Sequence, residues 1–247
     1  MHRAVAFCLL LLAACCARAG EVQVAVAANM APAMARIAAA FTRDTGHRAV
    51  VALGSTGKFY AQIRNGAPFE VLLAADDETP AKLEAEGLAV RDSRFTYAIG
   101  RLVLWSANEG VVDGRGEILR KPGRPRLAIA DPRVAPYGRA AMETLQNLGV
   151  LESWQPHLVM GDSVGQAHQF TASGNAPIGF VALSQVAEDG RIARGSGWMV
   201  PARLHAPLRQ DAVLLKAGAS NPTATAFLVY LRGNAARSIL RSAGYLF

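Results

Sequence analysis

Apolar runs of strand length alternate along this chain with segments whose apolar positions recur every three or four residues. Residues 22–27 (VQVAVA) predict a strand. A helix is predicted over 31–45, where Met34, Ile37, Ala38 and Phe41 share one face, Pro32 lies in the first turn and Gly46 follows the end. A strand over 48–53, a helix over 58–65 closed by Asn65-Gly66, a strand over 70–74 and a further helix closed by Gly87 repeat the pattern. Such alternation belongs to βαβ units on a mostly parallel sheet.

The pattern changes over residues 95–105 (FTYAIGRLVLW), a stretch too long for an ordinary strand and without an early turn residue. It predicts a crossing between two lobes. A second series follows, with strands over 127–130, 158–160 and 178–182 and helices over 139–148 and 164–172. A long extended stretch over 205–215 then returns, and helices over 222–232 and 235–243 are expected to pack back on the first lobe. The predicted organisation is α/β: a leader over 1–19, one lobe from 20–98 plus 206–247, a second from 99–205, and a ligand cleft between them.

The leader has the marks of a secretory signal: His2 and Arg3, an apolar run over 4–14, then Ala17-Arg18-Ala19 as a cleavage site. The run is too short to span a bilayer, and no later segment reaches the roughly 20 apolar residues a membrane helix needs. Leu12-Ala13-Ala14-Cys15 would also serve as a lipoprotein box, leaving Cys15 as a lipidated N-terminus. All three cysteines, Cys8, Cys15 and Cys16, lie in this leader, so a chain cut after Ala19 has neither disulfides nor thiol chemistry. The formal charge of +7 includes Arg3 and Arg18, and their removal leaves +5. A basic exported protein suits an anionic ligand rather than nucleic acid.

Four turns join a strand to a helix with small, hydroxyl or amide residues: Ala28-Asn29-Met30, Gly54-Ser55-Thr56-Gly57, Ala135-Pro136-Tyr137-Gly138 and Asp162-Ser163-Val164-Gly165. A helix start leaves its first N–H groups unpaired and carries about half a positive charge. Several such starts around one cleft make a site for a small anion without arginine or lysine.

Enzyme motifs fit less well. Gly161-Asp162-Ser163-Val164-Gly165 matches G-x-S-x-G, and a hydrolase would use Ser163 as nucleophile with Asp189 and His205 following in order. No HGGG-type oxyanion loop precedes it, and Asp162 or Ser163 equally suits a helix cap. Residues 52–59 (ALGSTGKF) approach a P-loop but place Ala52 at the first glycine and Phe59 where magnesium needs a hydroxyl. Gly195-Ser196-Gly197 reads as a loop. Asp76-Asp77-Glu78 reads as the cap of a helix rather than a metal cluster. His47, His157, His168 and His205 form no i, i+4 ligand pair.

Val24-Ala25-Val26-Ala27-Ala28-Asn29, Gly54-Ser55-Thr56-Gly57, Ser93-Arg94-Phe95-Thr96-Tyr97-Ala98-Ile99-Gly100, Ala135-Pro136-Tyr137-Gly138 and Ser163-Val164-Gly165-Gln166-Ala167-His168 together resemble the periplasmic molybdate-binding proteins of ABC importers. The resemblance covers essentially the whole chain after the leader. It implies a two-lobed type II periplasmic-binding-protein fold that closes on molybdate or tungstate, without cofactor or catalysis, and delivers it to a membrane permease with its ATPase. The protein is expected to act as a monomer in the periplasm, and molybdenum enters only as the oxyanion.

Ligand positions follow from the same resemblance. Ala28 stands where relatives use Ser or Thr and offers only its backbone N–H, so Asn29 would supply the side-chain contact. Thr56, with Ser55 beside it, retains a hydroxyl. Tyr137 would use its backbone N–H and its phenol, and Val164 its main-chain N–H. Some relatives place a tyrosine at the position of Ala182, which Tyr137 would replace. A fully deprotonated tetrahedral dianion only accepts hydrogen bonds, so a site made of donors suits it, whereas monohydrogen phosphate brings a proton that no donor can take.

Overall fold

The computed structural model describes residues 19–247. The leader through Arg18, with Cys15 and the lipoprotein box, lies outside them. The chain first forms β1 (Glu21–Ala27), α1 (Ala31–Thr45), β2 (Arg48–Gly54), α2 (Thr56–Arg64), β3 (Val71–Leu73), α3 (Glu78–Ala85) and β4 (Phe95–Gly100). It continues through β5 (Leu102–Ser106), β6 (Leu127–Ala130), α4 (Pro136–Asn147), α5 (Leu151–Trp154), β7 (Leu158–Gly161), α6 (Val164–Ala172) and β8 (Ile178–Ala182). A small hairpin, β9 (Ala187–Glu188) and β10 (Arg191–Ile192), precedes β11 (Ser196–Met199), and β12 (Leu208–Leu214), α7 (Pro222–Arg232) and α8 (Asn234–Ser242) complete the fold.

Two five-stranded sheets result, in the orders β2-β1-β3-β12-β4 and β11-β5-β8-β6-β7. Both are mixed. Parallel pairing holds β2-β1-β3 and β8-β6-β7 together, while β12 runs antiparallel to β3 and β4, and β5 antiparallel to β8 and β11. The antiparallel strands are those beside the crossings. β4 carries the chain out of the first sheet and β12 brings it back, so the two must run in opposite directions; β5 and β11 repeat this in the second. The apolar stretch over 95–105 is thus two strands in different sheets, joined at Arg101.

Each lobe has its own core. Met34, Ile37 and Phe41 on α1 are buried, and Gly46 ends the helix at a φ of 74° that favours glycine. Phe41 meets Phe227 of α7 edge to face, with ring centroids 5.3 Å apart, which is how the C-terminal helices are fastened to the first lobe. In the second lobe Trp154 is fully buried, and its indole donates to the Leu119 carbonyl at 2.9 Å.

Gly195-Ser196-Gly197 is not simply a loop, because Ser196 and Gly197 open β11 on the edge of β5. Pairing with β5 supplies the ladder bonds that the short, glycine-broken segment could not announce in sequence. Asp76 does act as a cap, its Oδ1 accepting from the Thr79 N–H at 3.0 Å. Phe41→Ala is expected to lower stability by about 3–5 kcal/mol, from lost burial and the cavity left behind, read as a lower midpoint of urea unfolding.

Candidate functional site

The four turns selected in the sequence meet at the carboxyl ends of β1, β2, β6 and β7, where ligands of open α/β sheets bind. Ala28, Asn29, Ser55, Thr56, Tyr137 and Val164, together with Ser163, line one small cavity. It is far below the size of a site for a nucleotide or an organic cofactor. Among the described residues, no Asp, Glu, Lys, Arg or His lines it. Thr56, Tyr137 and Val164 each lie in the first turn of a helix, α2, α4 and α6 respectively, where N–H groups have no helical partner. Ala28 and Asn29 begin a single 3-10 turn that leads into α1.

The side chains are arranged unequally. Ser55 is buried at the N-cap position of α2, yet its hydroxyl makes no capping bond and has no partner. An unpaired buried hydroxyl costs about 1–3 kcal/mol, so something other than helix capping keeps it there. Thr56 Oγ1 accepts from the Ala75 N–H at 2.9 Å, which leaves its own proton for another acceptor. Tyr137 Oη accepts from Gln210 Nε2 at 3.1 Å, and burial holds this phenol well above the ordinary tyrosine range, so it remains protonated.

Asn29 departs from expectation. Both protons of its side-chain amide are engaged, with Gln210 Oε1 at 2.9 Å and Tyr245 Oη at 2.8 Å, so what remains for the cavity is the backbone N–H. Its Oδ1 has no partner. Ala28, which lacks the family's hydroxyl, sits close to Gly165 across the cleft, where an added Cβ would come within 3.1 Å of the Ala28 methyl.

Residues that the sequence did not single out complete the site from behind. Gln210 Oε1 also accepts from Tyr97 Oη at 3.0 Å, and Ser184 Oγ donates to the Asn29 carbonyl at 2.8 Å. The available signal was a run of three polar residues, Arg209-Gln210-Asp211, inside a strand apolar at its other positions.

A sequence profile described as bacterial extracellular solute-binding protein matches residues 22–246. The chain belongs to that family. It is 56% identical to the molybdate-binding protein ModA of Azotobacter vinelandii over 234 residues, 95% of this chain and 93% of the relative. Identity to ModA of Rhodobacter capsulatus is 51% over 244 residues, 98% of this chain and 95% of that one. The solved structure of the periplasmic molybdate-binding protein of Azotobacter vinelandii superposes with a TM-score of 0.89 at 43% identity, covering 92% of this chain and 99% of that chain. The fold is the two-lobed type II arrangement of periplasmic binding proteins.

In this solute-binding protein the lobes also touch around the cavity. Gly57 N–H donates to the Val134 carbonyl at 2.9 Å, Lys58 pairs with Asp162 at 2.6 Å, and Arg139 reaches Asp76 at 3.1 Å. A Cβ at Gly57 would lie 2.9 Å from Val134, so this approach requires glycine. Lys58 and Asp162 are exposed, and such a pair is worth only about 0–1 kcal/mol. These cations sit outside the cavity, each paired with a carboxylate of the opposite lobe.

The hydrolase alternative is not assembled. Ser163 caps α6, its Oγ accepting from the Gln166 N–H at 3.3 Å, while His205 Nδ1 lies 2.7 Å from the Ala206 carbonyl and Asp189 sits in the turn between β9 and β10. Ser163→Ala is expected to cost about 1 kcal/mol of stability through the lost cap, seen in urea unfolding.

Proposed function

We propose that this chain captures molybdate, and tungstate with it, and hands the ion to an ABC importer's permease and ATPase. It does so as a monomeric periplasmic binding protein and catalyses no reaction. The observation that supports this reading is a small cavity lined, among the described residues, by no charged side chain but by the first turns of α2, α4 and α6 and by Ser55, whose buried hydroxyl has no protein partner. The ModA relatives named above favour molybdate among the small oxyanions.

Donors alone can hold a dianion because a hydrogen bond to a charged acceptor contributes about 1.5–3 kcal/mol, and several act together in a site screened from water. Monohydrogen phosphate brings a proton that a ring of donors leaves unpaired, so phosphate is the informative competitor.

Calorimetric titration of the mature protein with molybdate, tungstate, sulfate and phosphate tests the reading. Heat and saturation are expected with the first two; heat with neither would refute it. Thr56→Ala, which removes one hydroxyl donor, is expected to weaken molybdate binding at least about tenfold, by the loss of one charge-assisted hydrogen bond.

A further inference from the structure

Tyr137 lines the cavity from the second lobe, and its phenol oxygen is held by the first lobe through Gln210 Nε2. Gln210 lies on β12 and is fully buried. Its oxygen faces Asn29. The Oε1 atom accepts from Asn29 Nδ2 at 2.9 Å, the Tyr97 phenol lies 3.0 Å from both Oε1 and the Ala74 carbonyl, and inversion of Gln210 alone would face its NH₂ against the Asn29 NH₂.

The backbone is shaped to make this contact. Where β12 passes from Gln210 to Asp211, its partners on β4 jump from Ala98 to Thr96, leaving Tyr97 as the extra residue of a bulge. β12 is an inner strand buried on both faces from Gln210 onward, so Gln210 and Asp211 are both buried, one bonded to Tyr137 and the other to Arg94 and Thr96. Gly100 supplies the room: a Cβ there would overlap the Tyr137 hydroxyl and lie 2.5 Å from Gln210 Nε2.

We propose that Gln210 is a positioning residue of the anion site, which by donating to the Tyr137 oxygen leaves the phenol's single proton to point at the bound oxyanion. A phenol has one proton to give. With an N–H already on its oxygen, that proton is directed to an acceptor elsewhere, and the ligand in the cavity provides one. Because Tyr137 arrives with the second lobe and Gln210 stands on the first, parting the lobes breaks the bond and releases the donor's orientation. Closure thus switches on one of the site's hydrogen bonds. The inference rests on the oxyanion reading given above and adds a residue to it.

The test is calorimetric titration with molybdate of the mature wild type, Tyr137→Phe, Gln210→Glu and the double variant, with thermal melts to establish that each is folded. Measurements at about pH 8 and about pH 5.5 bracket the range of a buried carboxyl. An ionised carboxyl at position 210 would accept the phenol proton instead of donating, so Gln210→Glu is expected to bind at least about tenfold more weakly at the higher pH. At the lower pH the protonated carboxyl donates as the amide does, and its affinity relative to wild type should recover. Tyr137→Phe should lose a similar factor at both pH values, and the double variant should be no weaker than the worse single change.

A loss from Gln210→Glu that persists in full in the Tyr137→Phe background, or that is the same at both pH values, overturns the proposal. So does a Tyr137→Phe variant that binds as wild type does. If Gln210→Glu does not fold, Gln210→Met removes the donor at similar length, and its weakening must likewise vanish in the Tyr137→Phe background. A wild-type protein that binds neither molybdate nor tungstate would instead overturn the function on which the proposal depends.

Discussion

The side-chain amide of Gln210, buried where the two lobes meet, ties together the groups that stand behind the cavity. Asn29 and Tyr97 donate to its oxygen, and its nitrogen donates to Tyr137 across the cleft. Tyr245 and Ser184 extend the network to the C-terminal segment and back to the second lobe. In a water-free interior each broken bond of this kind leaves a polar group costing about 1–3 kcal/mol, so the members fix one another's positions. Burial raises the Tyr97, Tyr137 and Tyr245 phenols above the ordinary tyrosine range, so all three keep their protons and stay donors. The bulge at Tyr97 and the bare backbone of Gly100 serve that single arrangement.

In front of the network the same logic of neutral donors continues. Strand ends release helices α2, α4 and α6 with their first turns toward one point, and a helix start carries its partial positive charge without a counter-ion that must be desolvated. Lysine and arginine are kept to the rim, where Lys58 and Arg139 already have acidic partners on the opposite lobe. Full charges thus lie where water screens them, and dipoles lie where water is excluded. The cavity is shared between the lobes, because Ala28, Asn29, Ser55 and Thr56 belong to one sheet's turns and Tyr137 and Val164 to the other's.

Much of this was legible before any coordinates. The helix over 31–45 is α1 residue for residue, because Pro32, a regular apolar face and Gly46 mark its start, side and end in local chemistry. The helix over 164–172 and the strand over 178–182 are likewise α6 and β8 as predicted. The six cavity residues were also local in character: each follows a strand and opens a helix or turn. β11 and the β9–β10 hairpin were not legible, since their pairing energy comes from distant partners and their own residues are few and glycine-broken. Asn29 was misjudged for a related reason. Its amide looks available in sequence, and only the arrival of Gln210 and Tyr245, 181 and 216 residues away, occupies it.

By itself, then, the sequence determined the elements, the order of the four turns and the donor character of the residues in them, because periodicity, capping and side-chain chemistry act over a few residues. The tertiary structure alone decided which donors are spent on the protein and which remain for a ligand. Hydrogen bonds are exclusive: a proton committed to a partner across the fold is lost to the cavity, and no local pattern records that commitment.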